Sequence, residues 1–107
     1  MATTVRNKEL IRGKILYYLT IIYPRSATLL LLQGELDMFG YPISMDDLRF
    51  HVSYLIEKGL AAEETVRGPI PRRHVAMVKA TPKGIDTYDG RIGPDSGVYF
   101  EPREQGL

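Results

Sequence analysis

Apolar residues recur along the first quarter of the chain with a helical spacing. Leu10, Ile11, Ile15, Tyr18, Leu19 and Ile22 fall in one broad stripe at about 100° per residue, which predicts an amphipathic helix beginning near Asn7. Pro24 closes it, because a proline pushes the residue before it out of helical geometry. Ser26 is placed to cap a second helix running through Leu29, Leu30, Leu31, Leu32 and Leu36. That helix is apolar on most sides, the pattern of a helix sandwiched between others. Gly40 suits a left-handed terminator, and Tyr41-Pro42 makes a turn.

Ser44 opens a third helix, with Asp47 three positions on in the arrangement of a capping box. Leu48, Val52, Leu55 and Ile56 lie at i, i+4, i+7 and i+8 and form its buried face; Gly59 stands where the helix must stop. Beyond Leu60 the period changes. Ala61 to Arg67 and His74 to Thr81 carry Val66, Val75 and Val78 around the turn-rich Gly68-Pro69-Ile70-Pro71, the signal of a β-hairpin with a stiff tip. Thr81-Pro82 reads as a cap and first residue of a short fourth helix, weakened by Gly84 and ended by Gly90. The expected fold is mainly α with a small hairpin wing: a three-helix core, two strands and a short C-terminal helix. It occupies residues 1–90, and 91–107 form an extended tail rich in Gly, Pro and charge, interrupted by Val98, Tyr99 and Phe100.

Composition adds limits. The 107 residues suit one domain, and 44% hydrophobic with 25% charged is ordinary for a globular protein. The absence of cysteine excludes a disulfide framework, a thiolate zinc site and a thiol nucleophile. No signal peptide is recognisable, and Ile15 to Ile22 is far short of the roughly 20 residues that span a bilayer, so a cytoplasmic protein without membrane contact is expected. His51 and His74 sit on different elements without a carboxylate at metal-ligand spacing, and both read as surface or wing residues. Asp86 and Asp89 before Gly90 lack the alternation of a calcium loop. No phosphate loop, nucleophile elbow or zinc-helix motif is present. Neither catalysis nor a cofactor is expected.

Two motifs carry a resemblance. Tyr54-Leu55-Ile56-Glu57-Lys58-Gly59-Leu60, followed about twenty residues later by Thr81-Pro82-Lys83-Gly84, resembles the signatures that bracket the wing in MarR-, PadR- and ArsR-type winged helix-turn-helix regulators. Gly34 to Tyr41 leading into Ser44, the Gly59-Leu60 junction, and Gly84-Ile85-Asp86 followed by Gly90 are also similar to short winged-helix proteins of tailed phages and prophages, over roughly residues 8 to 100. The resemblance implies that the third helix enters the major groove of duplex DNA and that the wing reaches phosphate or the minor groove.

The charges fit that picture unevenly. Residues 1–25 hold five basic and one acidic side chain, whereas 26–60 hold two basic and five acidic. The outward face of the third helix presents Asp46, Phe50, Ser53, Tyr54 and Glu57, with Arg49 on one flank and Asp47, His51 and Lys58 on the other. Asp46 and Asp47 suit the positive end of the helix dipole, but carboxylates there oppose phosphate. The better DNA-contacting candidates are Arg67, Arg72 and Arg73 of the wing and Arg6, Lys8, Arg12 and Lys14 near the N-terminus, with Arg49, Ser53 and Tyr54 on the helix. Two readings stand: a homodimeric DNA-binding regulator, its dimer built by the first helix or by Val98, Tyr99 and Phe100; or a protein-interaction module presenting Phe50 and Tyr54 to a partner.

Overall fold

The computed structural model describes residues 5–67, 74–93 and 95–100; of the side chains at 5, 6, 66, 67, 74 and 75 only the backbone placement is described. The wing tip with Arg72 and Arg73 therefore lies outside the described residues, as do the side chains of Arg6 and Arg67. Helix α1 (Val5–Ile22) ends just before Pro24, as expected. Next comes β1 (Ala27–Thr28), then α2 (Leu29–Met38) and α3 (Met45–Glu57). The hairpin strands are β2 (Ala61–Arg67) and β3 (His74–Ala80), and α4 (Pro82–Tyr88) follows. Among the described residues, no helix is long and apolar enough to cross a membrane.

The cap of α2 is Thr28, not Ser26: the Thr28 hydroxyl oxygen accepts from the Leu31 N–H at 3.1 Å. The reason is tertiary. Ala27 and Thr28 are held extended by antiparallel pairing with Val78 and Met77, so helical geometry cannot start earlier. Ser26 instead donates to the Glu64 carboxylate. This pairing adds a third strand to the expected two, in the order β1-β3-β2. A two-residue strand carries no detectable period, so sequence alone misses it.

The other helix boundaries follow local chemistry. The Ser44 hydroxyl oxygen accepts from the Asp47 N–H at 3.1 Å, and Gly40 and Gly59 take φ of 92° and 76°, where a side chain would be strained. The two signature motifs interlock. Thr81 accepts from the Gly84 N–H at 3.0 Å and donates to the Gly59 carbonyl at 2.6 Å, while Lys83 donates to the Lys58 carbonyl at 3.0 Å. A Cβ at residue 84 would collide with the Leu60 carbonyl oxygen, so the start of α4 packs directly on the junction between α3 and β2.

Ile11, Ile15, Leu16 and Leu19 of α1 form the centre of the core. Leu32 and Leu36 of α2, Leu48, Val52 and Leu55 of α3, Leu60, and Ala61, Val78 and Ala80 of the sheet close around them. Residues 95–100 return to this core: Val98 is 6% exposed, and the Tyr99 N–H donates to the Glu9 carbonyl at 3.1 Å. A Cβ at Gly13 would strike the Tyr99 carbonyl oxygen, so the chain crosses α1 there at close range. Phe100 meets the edge of Tyr88 at 5.0 Å, and Tyr88 meets Tyr17 at 5.6 Å. The apolar patch expected to be free for a dimer is thus spent within the chain.

Candidate nucleic-acid interface

The exposed surface of α3 carries Asp46, Asp47, Arg49, Phe50, Ser53 and Glu57. Leu48, Val52 and Leu55 face the core as the spacing predicts. Arg49 lies 3.5 Å from Asp46, both side chains well exposed, so its charge is shared with a neighbour on the same helix. Phe50 is 59% exposed. Lys8 is exposed on α1.

Tyr54 differs from the expectation of an exposed aromatic pair. The Arg12 guanidinium lies over its ring at 3.9 Å, and the Tyr54 hydroxyl donates to Asp95 at 2.5 Å. Asp95 also accepts from the Gly97 N–H at 2.8 Å, and the Lys58 ammonium sits 4.0 Å from its other oxygen. A Cβ at Gly97 would collide with the Tyr54 hydroxyl. The returning chain therefore covers the phenol, leaving Phe50 as the open aromatic of the pair.

His51 is corrected too: it is 4% exposed, not a surface residue. Arg12 Nε donates to His51 Nδ1 at 3.1 Å, and Arg12 Nη1 donates to the Gly97 carbonyl at 3.3 Å. Burial first, then the neighbouring guanidinium, lowers the imidazole pKa from 6.5 to about 4, so His51 is neutral at pH 7. Burial, then the bond to Asp95, raises the Tyr54 phenol above its ordinary value. Partial burial alone would push the Asp95 carboxyl up, but the bonds from Tyr54 and Gly97 with Lys58 nearby outweigh it and hold the carboxyl low.

One cluster thus ties α1, α3 and residues 95–97 together through Arg12, His51, Tyr54, Asp95 and Gly97. No local signal announces it, since the bonds that join its separate elements link residues 39 to 85 positions apart in sequence. Arg12 is an internal tie with its guanidinium already bonded, unlike the basic N-terminal patch envisaged from charge alone. Among the described residues, no group of three His, Asp or Glu is placed to hold a metal ion.

Beyond α3, the hairpin outruns its third strand. β1 reaches only Met77 and Val78, whereas β2 and β3 stay paired from Ala61–Ala80 out to Arg67–His74. The segment from Thr65 to Arg67 and its partners is therefore a two-stranded arm, with basic residues in the sequence at and beyond its end. The fold and this surface define a compact α/β domain of four helices and a small three-stranded antiparallel sheet. No family model matches the chain, and no curated protein matches it either.

Proposed function

We propose that this is a winged helix-turn-helix DNA-binding protein whose duplex contacts come chiefly from the hairpin arm, with further contacts from Lys8 and the exposed rim of α3. The single observation that carries the reading is the two-stranded arm, which leaves the sheet at Met77 and leads to Arg67, Arg72 and Arg73. The element order supports it: α2 and α3 stand as the helix-turn-helix pair, and β2 and β3 as the wing. Arginine suits both the phosphate fork and a narrow minor groove. In contrast, Asp46, Asp47 and Glu57 lower the positive potential of α3, so it reads bases weakly and serves more to orient the domain. A homodimer would let two modest contacts add.

The test is fluorescence anisotropy of a labelled duplex titrated with the full chain at increasing salt. Affinity should fall steeply with salt, and Arg72→Ala with Arg73→Ala should reduce the salt slope by about 2, one for each lost phosphate contact. Absence of binding at low salt refutes the proposal.

A second reading is favoured by one observation, the 59% exposure of Phe50 on a helix face that carries three carboxylates. Such a face suits a protein partner, because aromatics are enriched at interfaces.

A further inference from the structure

The returning segment sets a carboxylate on the last turn of α3, and the two oxygens of Asp95 have different partners there. Oδ1 accepts from both the Tyr54 hydroxyl and the Gly97 N–H, whereas Oδ2 faces the ammonium of Lys58, the residue that caps the end of the helix, at 4.0 Å. Two hydrogen bonds therefore fix the carboxylate with its second oxygen aimed at a cation. The Asp95 side chain is 19% exposed and that of Lys58 48%, so the acid is enclosed while the ammonium stands open to solvent.

Without Asp95, this end of α3 suits an anion better than the end that carries Asp46 and Asp47. Lys83 joins Lys58 there, donating to the Lys58 carbonyl and attracting the same carboxylate. The last carbonyls of a helix repel an anion, but Lys83 holds that of Lys58 and Thr81 that of Gly59. Glu57, exposed on the same turn, is the opposing charge that the helix itself contributes. A tyrosine hydroxyl beside a lysine ammonium is a donor pair that meets DNA phosphate oxygens.

We propose that Asp95 is a built-in phosphate surrogate, occupying the Tyr54–Lys58 end of α3 and holding off a backbone phosphate of duplex DNA that would bind there. The inference concerns the regulation of the DNA contacts proposed above and rests on that reading. Tyr54 and Gly97 pin the carboxylate, so it cannot swing clear of an approaching duplex without breaking both bonds. A phosphate that reaches Lys58 meets a second negative charge beside it. Neutralising Asp95 unlocks the contact.

Asp95→Asn is the discriminating variant. Its amide oxygen can replace Oδ1 on Tyr54 and Gly97, which keeps the turn and leaves Tm close to that of the original chain, while its amide nitrogen replaces the oxygen that faces Lys58. In duplex anisotropy at about 0.1 M salt it should bind about three- to tenfold more tightly, with a salt slope steeper by about 1 for one added phosphate contact. Lys58→Ala should change the affinity of the original chain by less than about twofold, yet remove the whole gain from the Asp95→Asn chain. Asp37→Asn makes the same change of net charge on α2 and should change affinity by less than about twofold. An Asp95→Asn chain that binds no better, a gain that survives Lys58→Ala, or an equal gain from Asp37→Asn overturns the inference. So does a clear loss of affinity in Lys58→Ala alone, which would show the ammonium already open to DNA; that exposed substitution leaves the fold intact even if Asp95→Asn does not. When the original chain binds duplex through its arginines and any of these outcomes is seen, only this inference falls. If neither the original nor the Asp95→Asn chain binds at low salt, the DNA reading falls with it.

Discussion

Arg12 ties α1 to α3 and to the returning segment, bonding to His51 and Gly97 and lying over Tyr54. Its partner His51 makes the fold sensitive to acid. In the folded chain the imidazole titrates at about 4, against 6.5 in its ordinary state, so between those values the unfolded chain binds the extra proton. Stability is therefore full above about pH 6.5 and declines as pH falls toward 4. Thermal unfolding across that range should show the decline, on the order of 1–3 kcal/mol in total, and His51→Gln should flatten it. A second residue-scale prediction concerns Gly97, where a Cβ has no room beside the Tyr54 hydroxyl. Gly97→Ala should lower stability by about 1–3 kcal/mol by breaking the Tyr54–Asp95 and Arg12 contacts. Urea unfolding measures the loss, and an upward move of the His51 titration in NMR would report the released imidazole.

At the scale of elements, the starts of α2, α3 and α4 are each set by one hydroxyl, but the hydroxyl at Thr81 has two tasks. It caps α4 and also bonds to the Gly59 carbonyl at the end of α3. Thr81→Ala should cost about 1–2 kcal/mol, the upper part of the capping range, and Thr81→Ser should recover most of it. Hydrogen exchange at the amides of Gly84 and Ile85 should speed up in the alanine variant and stay slow in the serine one. Helix α2 supplies a contrast between its two faces. Leu36→Ala, in the core, should destabilise the domain by about 2–5 kcal/mol, whereas Leu30→Ala, on the open stripe, should change stability by less than about 0.5 kcal/mol. Chemical denaturation of the two variants side by side checks the difference, and equal losses would show that the stripe is covered in the folded chain.

For the whole molecule, the returning segment matters most. Val98 enters the core, Tyr99 bonds to α1 and Phe100 packs on Tyr88. A chain ending at Gly93 should therefore unfold at lower temperature, losing at least the roughly 1.5–3 kcal/mol that burial of one valine contributes. It should also expose Tyr54, which quenching of tyrosine fluorescence would detect. The same segment changes the surface open to ligands, because it covers the phenol of α3 and leaves Phe50 beside three carboxylates. Among the described large apolar side chains, Met38 and Leu30 of α2 are the most exposed.

The sequence by itself determined the helices, their stops and the hairpin, because those depend on contacts within a few residues. The stripe of α1, the Ser44 and Thr81 caps, the positive φ at Gly40 and Gly59, and the strand span from Ala61 all follow from near neighbours. Its apolar pattern also recorded that α2 has two faces to cover. Only the tertiary structure decided which of them is covered, the one that carries Leu32 and Leu36. It recruited Ala27 and Thr28 into the sheet, turned Arg12 inward onto His51 and Tyr54, and folded Val98 into the core. Each of those choices joins residues far apart in the chain, where no period or spacing marks the partner. The physical reason is that a periodic pattern states which side of an element avoids water, whereas the identity of its cover depends on how all the elements pack.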